Sequence, residues 1–271
     1  MAQSLYELDG EHFVPTELSR GPWSPDALHG GPVAALVAHL AETPDAPGPM
    51  HPARLTLELL RPVPLAPLRP EVRILRPGRK VQLVGVSLFG ADLEVARATV
   101  LRLRTDSIAL PRDAAGGNTS PPPGPERAVA VTPAWRGELR AYHSHATEHR
   151  IASGSWEKLG PCTDWVRVLV PLAPGIALSP FARVAAAADF GNGISAALPF
   201  DRFRFLNADL TLHLHRLPGG DWVRLDAVSW PEPAGVGLAE SALHDERGPL
   251  GRALQSLLLE RADPFGIAPD G

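Results

Sequence analysis

Three polar side chains in the second half of the chain have neighbours that would make them reactive. Asp189 follows four consecutive alanines and precedes Phe190. A carboxylate in an apolar setting at a helix C-terminus is disfavoured as an anion by desolvation and by the helix dipole. Both effects raise its affinity for a proton and suit it to general-base work. The alternative is a solvated helix-end aspartate beside a glycine turn. Gln255 lies in Gly251-Arg252-Ala253-Leu254-Gln255-Ser256-Leu257 and alternates onto the same face as Ala253, Leu257 and Leu259. An amide on such a face needs hydrogen-bond partners if buried; on an edge strand it would face water. Asn207 can both donate and accept, so it could orient a water, or it is a turn-favouring residue before Ala208 and Asp209. Strict alternation puts it opposite Leu210 and Leu212, and only a bulge or strand end would bring it to their face.

Other groups bear on charge and on the chemistry excluded. Gly30-Gly31 opens a helix, where free backbone N–H groups could hold an oxyanion; close packing of helix on sheet is the competing reason for the glycines. Arg76 and Arg79 flank a turn and could meet phosphate groups, or are simply solvated. His143, His145 and His149 suggest a metal cluster, His-x-His sharing one strand face, but neither cysteine nor a clear carboxylate completes a ligand set, so no metal is expected. Cys162 is the single cysteine, which rules out an intrachain disulfide and reads as a structural thiol. Ser87 and Ser195 each lack the second glycine of a nucleophile elbow. Neither a Walker loop nor a dinucleotide fingerprint occurs.

The elements that must position these residues are duplicated. Leu55-Thr56-Leu57-Glu58-Leu59-Leu60-Arg61 recurs as Leu210-Thr211-Leu212-His213-Leu214-His215-Arg216, identical at 5 of 7 positions at an offset of 155. The same offset pairs Arg97-Ala98 with Arg252-Ala253, Val81 with Val236, Leu83 with Leu238 and Leu88 with Leu243. So long a period is a duplicated domain rather than a solenoid, whose units run about 20–50 residues. By this offset Gln255 corresponds to Val100 and Asn207 to Pro52, so the polar groups belong to one copy only. Each copy reads as one apolar helix, residues 33–42 and 180–190, followed by antiparallel strands. Those strands are expected at 53–61, 71–75, 81–89 and 93–103, then at 139–152, 163–170, 207–216, 221–230, 235–244 and 250–261. Gly191-Asn192-Gly193 suits the end of the second helix. A sheet wrapped on one helix, twice, is an α+β arrangement. The boundaries are 1–104, a Pro/Gly-rich linker at 105–135 whose run at 114–125 cannot bury a core, and 136–271.

The chain has 271 residues and a net charge of −4, so nothing points to nucleic-acid binding. Of its 26 basic residues all but Lys80 and Lys158 are arginine, which codon bias explains without invoking a site. The N-terminus has neither a basic segment nor an apolar run, and no apolar stretch is long enough for a membrane span. A cytoplasmic protein is expected.

The combination of Gly30-Gly31, Arg76-Pro77-Gly78-Arg79, Gly154-Ser155-Trp156 with Gly160-Pro161 and Trp165-Val166-Arg167, and Asp189-Phe190, in this order on a duplicated frame, resembles the tandem (double) hotdog acyl-CoA thioesterase II-like family. The resemblance covers nearly the whole chain outside the linker. It implies two tandem hotdog domains, each an antiparallel sheet around a central helix. It also implies hydrolysis of fatty acyl-CoA to free fatty acid and coenzyme A without a cofactor. The family holds a water with a carboxylate, a small polar residue and a glutamine in the second domain, roles that fall on Asp189, Asn207 and Gln255. The better-known pattern has threonine where this chain has Asn207. On this view Asp189 is the general base, Gly31 N–H faces the oxyanion, Arg76 and Arg79 meet the coenzyme A phosphates, and the acyl chain lies in a tunnel between helix and sheet. Two hotdogs in one chain imitate a hotdog dimer, and further self-association is compatible with that. Two alternatives stand beside the enzyme: a hotdog that binds acyl groups without hydrolysing them, and a hydratase. The latter needs a second acid–base group, and Ile194 stands where a histidine would be.

Overall fold

The computed structural model describes residues 3–111, 113–114, 117, 119–131 and 139–262. In chain order the first half contains β1 (Tyr6–Asp9), β2 (His12–Pro15), α1 (Gly30–Glu42), β3 (Met50–Leu59), β4 (Leu68–Arg76), β5 (Val81–Gly90) and β6 (Leu93–Arg104). The second contains β7 (Val129–Val131), β8 (Thr147–Ser153), β9 (Cys162–Val168), α2 (Pro180–Ala188), α3 (Gly191–Ile194), β10 (Phe203–Asn207), β11 (Asp209–Leu214), β12 (Trp222–Pro231), β13 (Val236–Asp245) and β14 (Gly248–Arg261).

The strands form one antiparallel sheet in the order β1-β2-β4-β5-β6-β3-β11-β14-β13-β12-β9-β8-β7, with β10 also beside β14. This order is a mirror image about the β3–β11 seam. The duplicated phrase lies on the seam itself and pairs with its own copy: Leu55 with Leu212, Thr56 with Thr211 and Leu57 with Leu210. Elsewhere the offset of the repeat is kept, since β5 and β6 start at 81 and 93 and β13 and β14 at 236 and 248.

The helices cover one face of this sheet. Residues 33–38 of α1 are fully buried, as its apolar residues on all sides require. In α2, Pro180 occupies the first turn and the Ser179 hydroxyl accepts the Ala182 N–H at 3.0 Å, the usual cap for the free amides there. The two helices run antiparallel. Gly30 and Gly31 lie against Asp189 and Ala186 at one end of the pair, and Ser179 Oγ donates to Glu42 Oε2 at 2.6 Å at the other. Alanines on α2 and glycines on α1 permit the approach: a Cβ on Gly31 would stand 2.6 Å from the Ala186 carbonyl oxygen. Leu55, Leu57, Leu210 and Leu212 close the core beneath them, each contributing about 1.5–3 kcal/mol by burial.

Several elements differ from the sequence expectations. The hairpin β1–β2 was not anticipated, and β7 falls inside the stretch 105–135 expected as linker, part of which lies outside the described residues. The strand expected at 139–152 begins only at Thr147, because residues 142–146 form a π-helical turn. Tertiary bonds impose that turn: Tyr142 N–H donates to the Arg20 carbonyl at 3.0 Å, and its hydroxyl reaches Ala186 O at 3.1 Å. His143 and His145 therefore share no strand face. Gly191-Asn192-Gly193 does not end the helical region but begins α3. Gly191 is glycine there for space, since a Cβ would meet Ser241 Oγ at 2.6 Å and Gln255 Oε1 at 3.1 Å. Finally, the strand expected at 207–216 is two strands, β10 and β11, with a break at Ala208.

Candidate active site

Asp189 caps the C-terminus of α2 and is 8% exposed. Three side chains converge on its carboxylate. Asn207, the last residue of β10, donates from Nδ2 to Oδ1 at 2.8 Å. Gln255, in the middle of β14, donates from Nε2 to the same Oδ1 and to the Asp189 carbonyl, both at 3.3 Å. His29, the residue before α1, places Nδ1 2.8 Å from Oδ2. The three residues singled out in the sequence are thus brought together, joined by a fourth from the other half of the chain.

The break at Ala208 puts Asn207 in place. Asn207 pairs with Leu257 and Thr211 with Leu254, so residues 208–210 oppose only residues 255–256. One extra residue reverses the alternation. Phe205 as well as Leu210 and Leu212 can then face inward, with Asn207 turned to Asp189. Asp209 Oδ1 accepts the Ser256 N–H at 2.6 Å where the ladder is interrupted. Gln255 is held from its other end, Oε1 accepting the Asn192 N–H of α3 at 3.0 Å. With both ends of its amide engaged, it is satisfied although buried.

Aromatic rings wall the cluster. The His29, Tyr142 and Phe190 rings meet in a triangle: His29 is tilted against both, with centroids 5.0 and 4.8 Å away, and Tyr142 stacks on Phe190 at 5.5 Å. Burial, and then the nearby Asp189 charge, push the Tyr142 phenol well above its ordinary range, so it stays a neutral donor. Behind Phe190, His149 bonds Asp164 through Nδ1 at 2.7 Å and Thr147 through Nε2 at 3.0 Å. This histidine is therefore a buried member of a polar pair. Burial, reinforced by Asp164, pushes the Cys162 thiol up to about 12, which keeps it from being a thiolate nucleophile at neutral pH.

Gly30 and Gly31 bring the α1 N-terminus onto Asp189: a Cβ on Gly30 would lie 2.6 Å from Oδ1. The Gly31 N–H faces His29 Nδ1 at 3.1 Å. Arg76 ends β4 and Arg79 follows in the next turn; both are exposed, and neither is among the residues touching Asp189. A cavity of about 330 Å³ lies beside α3, lined in part by Trp156, Leu159, Gly193, Ile194, Ala196 and Phe200. Its place is next to the helical turn that follows Asp189, not the space between helix and sheet where a tunnel was expected. His29 was missed because the only sequence signal was its position before Gly30-Gly31; its partner lies in the other half.

Two family models match the chain: an acyl-CoA thioesterase N-terminal domain over residues 19–103 and an acyl-CoA thioesterase C-terminal domain over residues 114–259. No protein of curated function matches. Among solved structures, an acyl-CoA thioesterase II, TesB2, from Mycobacterium marinum is 17% identical, with a TM-score of 0.63 over 98% of both chains. A hot dog fold protein of unknown function from Alicyclobacillus acidocaldarius is 18% identical, with a TM-score of 0.69 over 96% of both. A candidate thioesterase II from Thermobifida fusca is 19% identical, with a TM-score of 0.71 over 96% of both. At these identities the structures show a shared hotdog fold.

Proposed function

The chain belongs to the acyl-CoA thioesterase family, and on that premise we propose that it hydrolyses acyl-CoA to free acid and coenzyme A at the cluster around Asp189. The observation that carries this reading is the convergence of Asn207, Gln255 and His29 on one buried carboxylate. An anion so held is preorganised to drive removal of a proton from water. Asn207 donates through Nδ2, which leaves its carbonyl oxygen to accept from that water. The chain is read as two tandem hotdog domains meeting at the β3–β11 seam, with Asp189, Asn207 and Gln255 supplied by the second and His29 by the first. The acyl group is assigned to the cavity beside α3.

The case for a non-catalytic binder has two grounds, asparagine where threonine is better known and the strand phase of Asn207; the bulge at Ala208 removes the second. A second enzymatic reading, hydration of an unsaturated acyl thioester, gains one observation: His29 is the further acid–base group it needs. The experiment is free-thiol release by the wild type across acyl-CoAs from acetyl to palmitoyl, with an enoyl-CoA included. Thiol release from any of these acyl-CoAs supports the proposal, and the preferred length names the substrate class. Loss of the enoyl double bond without thiol release would favour hydration. Thermal stabilisation by acyl-CoA with no turnover would leave a binding protein.

A further inference from the structure

We propose that His29 is a catalytic residue: its Nε2 takes the proton from the attacking water, and Asp189 acts through it. The proposal rests on the hydrolase reading above and changes which atom does the work.

The hydrogen-bond valence of the ring carries it. Nδ1 can present either an N–H or a lone pair, yet two groups approach it: Asp189 Oδ2 at 2.8 Å and the Gly31 N–H at 3.1 Å. A carboxylate oxygen at that distance demands an N–H, and the charge-assisted bond is the stronger of the two. In its neutral form the ring therefore carries its proton on Nδ1 and its lone pair on Nε2. Nε2 makes no hydrogen bond among the described residues, and the His29 side chain is 12% exposed. The stacked pair of Tyr142 and Phe190 packs against the ring and restricts its rotation.

The carboxylate, by contrast, is already engaged at both oxygens. Oδ1 accepts from Asn207 and Gln255, and Oδ2 from His29. A water using Asp189 directly has only the second lone pair of Oδ2, on a side chain 5% exposed; a water at Nε2 meets an uncommitted lone pair on the more exposed ring. The same tautomer leaves the Gly31 N–H without an acceptor at Nδ1, which frees an α1 N-terminal donor beside the dyad for a developing oxyanion.

The step balances without a cofactor. Nε2 takes a proton from water as the water oxygen bonds to the thioester carbonyl carbon, and the carbonyl π pair moves onto its oxygen. That pair then re-forms the C=O bond as the C–S bond breaks. Sulfur leaves with the bonding electrons and takes the proton back from the imidazolium. The products are a carboxylic acid and a thiol, and nothing is oxidised or reduced.

The test is kcat and KM for His29→Asn and His29→Ala on the best acyl-CoA. The asparagine amide nitrogen stands about where Nδ1 stands, so His29→Asn keeps the bond to Asp189 and is a residue favoured before a helix but has no base. Both variants are expected to lose about 10²–10⁴ in kcat with little change in KM. A double variant with Asp189→Asn should lose no more than either single change, because the pair acts as a unit. If His29→Ala is too unstable to assay, His29→Asn carries the test. His29→Asn turning over within about threefold of wild type would overturn the proposal and leave His29 as a support for Asp189. A wild type inert on every acyl-CoA would sink the hydrolase reading itself, and this proposal with it.

Discussion

Asn207 holds the position where threonine is the better-known residue, and the structure shows what the amide does there. Its Nδ2 donates to Asp189 Oδ1 at 2.8 Å. A threonine hydroxyl can also donate once and accept, whereas leucine can do neither. Asn207→Thr should keep kcat/KM within about tenfold, while Asn207→Leu should lose about 10–10²-fold, the worth of one hydrogen bond to a charged group. Equal losses in the two, read from thioester kinetics, would mean that size rather than hydrogen bonding matters at this position. Asp189, Asn207 and Gln255 were legible as residue types because each is polar among apolar neighbours and two of them have apolar or imino counterparts in the other copy. The phase of Asn207 was not legible. The bulge that reverses it is stabilised by Asp209 accepting the Ser256 N–H, and nothing in the local alternation signals a bond across strands.

The elements that carry the site meet through glycine and through buried charge. A Cβ on Gly31 would collide with backbone, the Ala186 carbonyl at 2.6 Å, and with the Tyr142 ring at 2.7 Å. Gly31→Ala must therefore push α1 from α2, costing about 1–3 kcal/mol and most of the activity, since His29 and Asp189 sit on the two helix ends. Gly193→Ala has open space around it and should be near neutral in the same melting assay. The helices and the long strands were readable from periodicity; the π-helical turn at 142–146 was not, because contacts of Tyr142 with distant residues override alternation. At the end of β13, Asp245 pairs with Arg216 through both oxygens at 2.5 and 2.7 Å. Burial pushes this carboxyl up, but the Arg216 hydrogen bonds and the Gly219 and Arg247 amides outweigh burial and hold it well below the usual carboxylate range. A depressed acid stabilises the fold above its unfolded-state pKa, about 3.9 for aspartate, and that contribution is lost as pH falls through the folded value. Asp245→Asn should cost about 2–4 kcal/mol at neutral pH, with the gap to wild type narrowing in acid. Urea unfolding across pH reads this directly, and a constant gap would contradict it.

The whole molecule has two helix junctions related by the mirror order of the sheet, yet it is equipped at one. At each junction the cap residue of one helix bonds a carboxylate from the end of the other: His29 with Asp189, and Ser179 with Glu42. The second junction lacks the rest of the machinery. Val100 stands at the offset of Gln255, and Arg102 is bonded to Gln82 and to the carbonyls of Ala41 and Pro44 at the α1 C-terminus. A non-hydrolysable acyl-CoA thioether should accordingly bind once per chain by calorimetry; two sites would mean that the first-half junction is open. The duplication was legible from one repeated phrase. That the phrase pairs with its own copy and brings His29 to Asp189 was not, since only the assembled sheet sets the two halves side by side.

The most direct measurement is kcat/KM of Asp189→Asn against wild type on the best acyl-CoA, with melting temperatures recorded for both. Asparagine keeps the shape and loses the charge that Asn207, Gln255 and His29 surround. A loss of about 10²–10⁴-fold in a folded variant is expected. Activity within about threefold of wild type would show that thioester hydrolysis does not depend on this carboxylate.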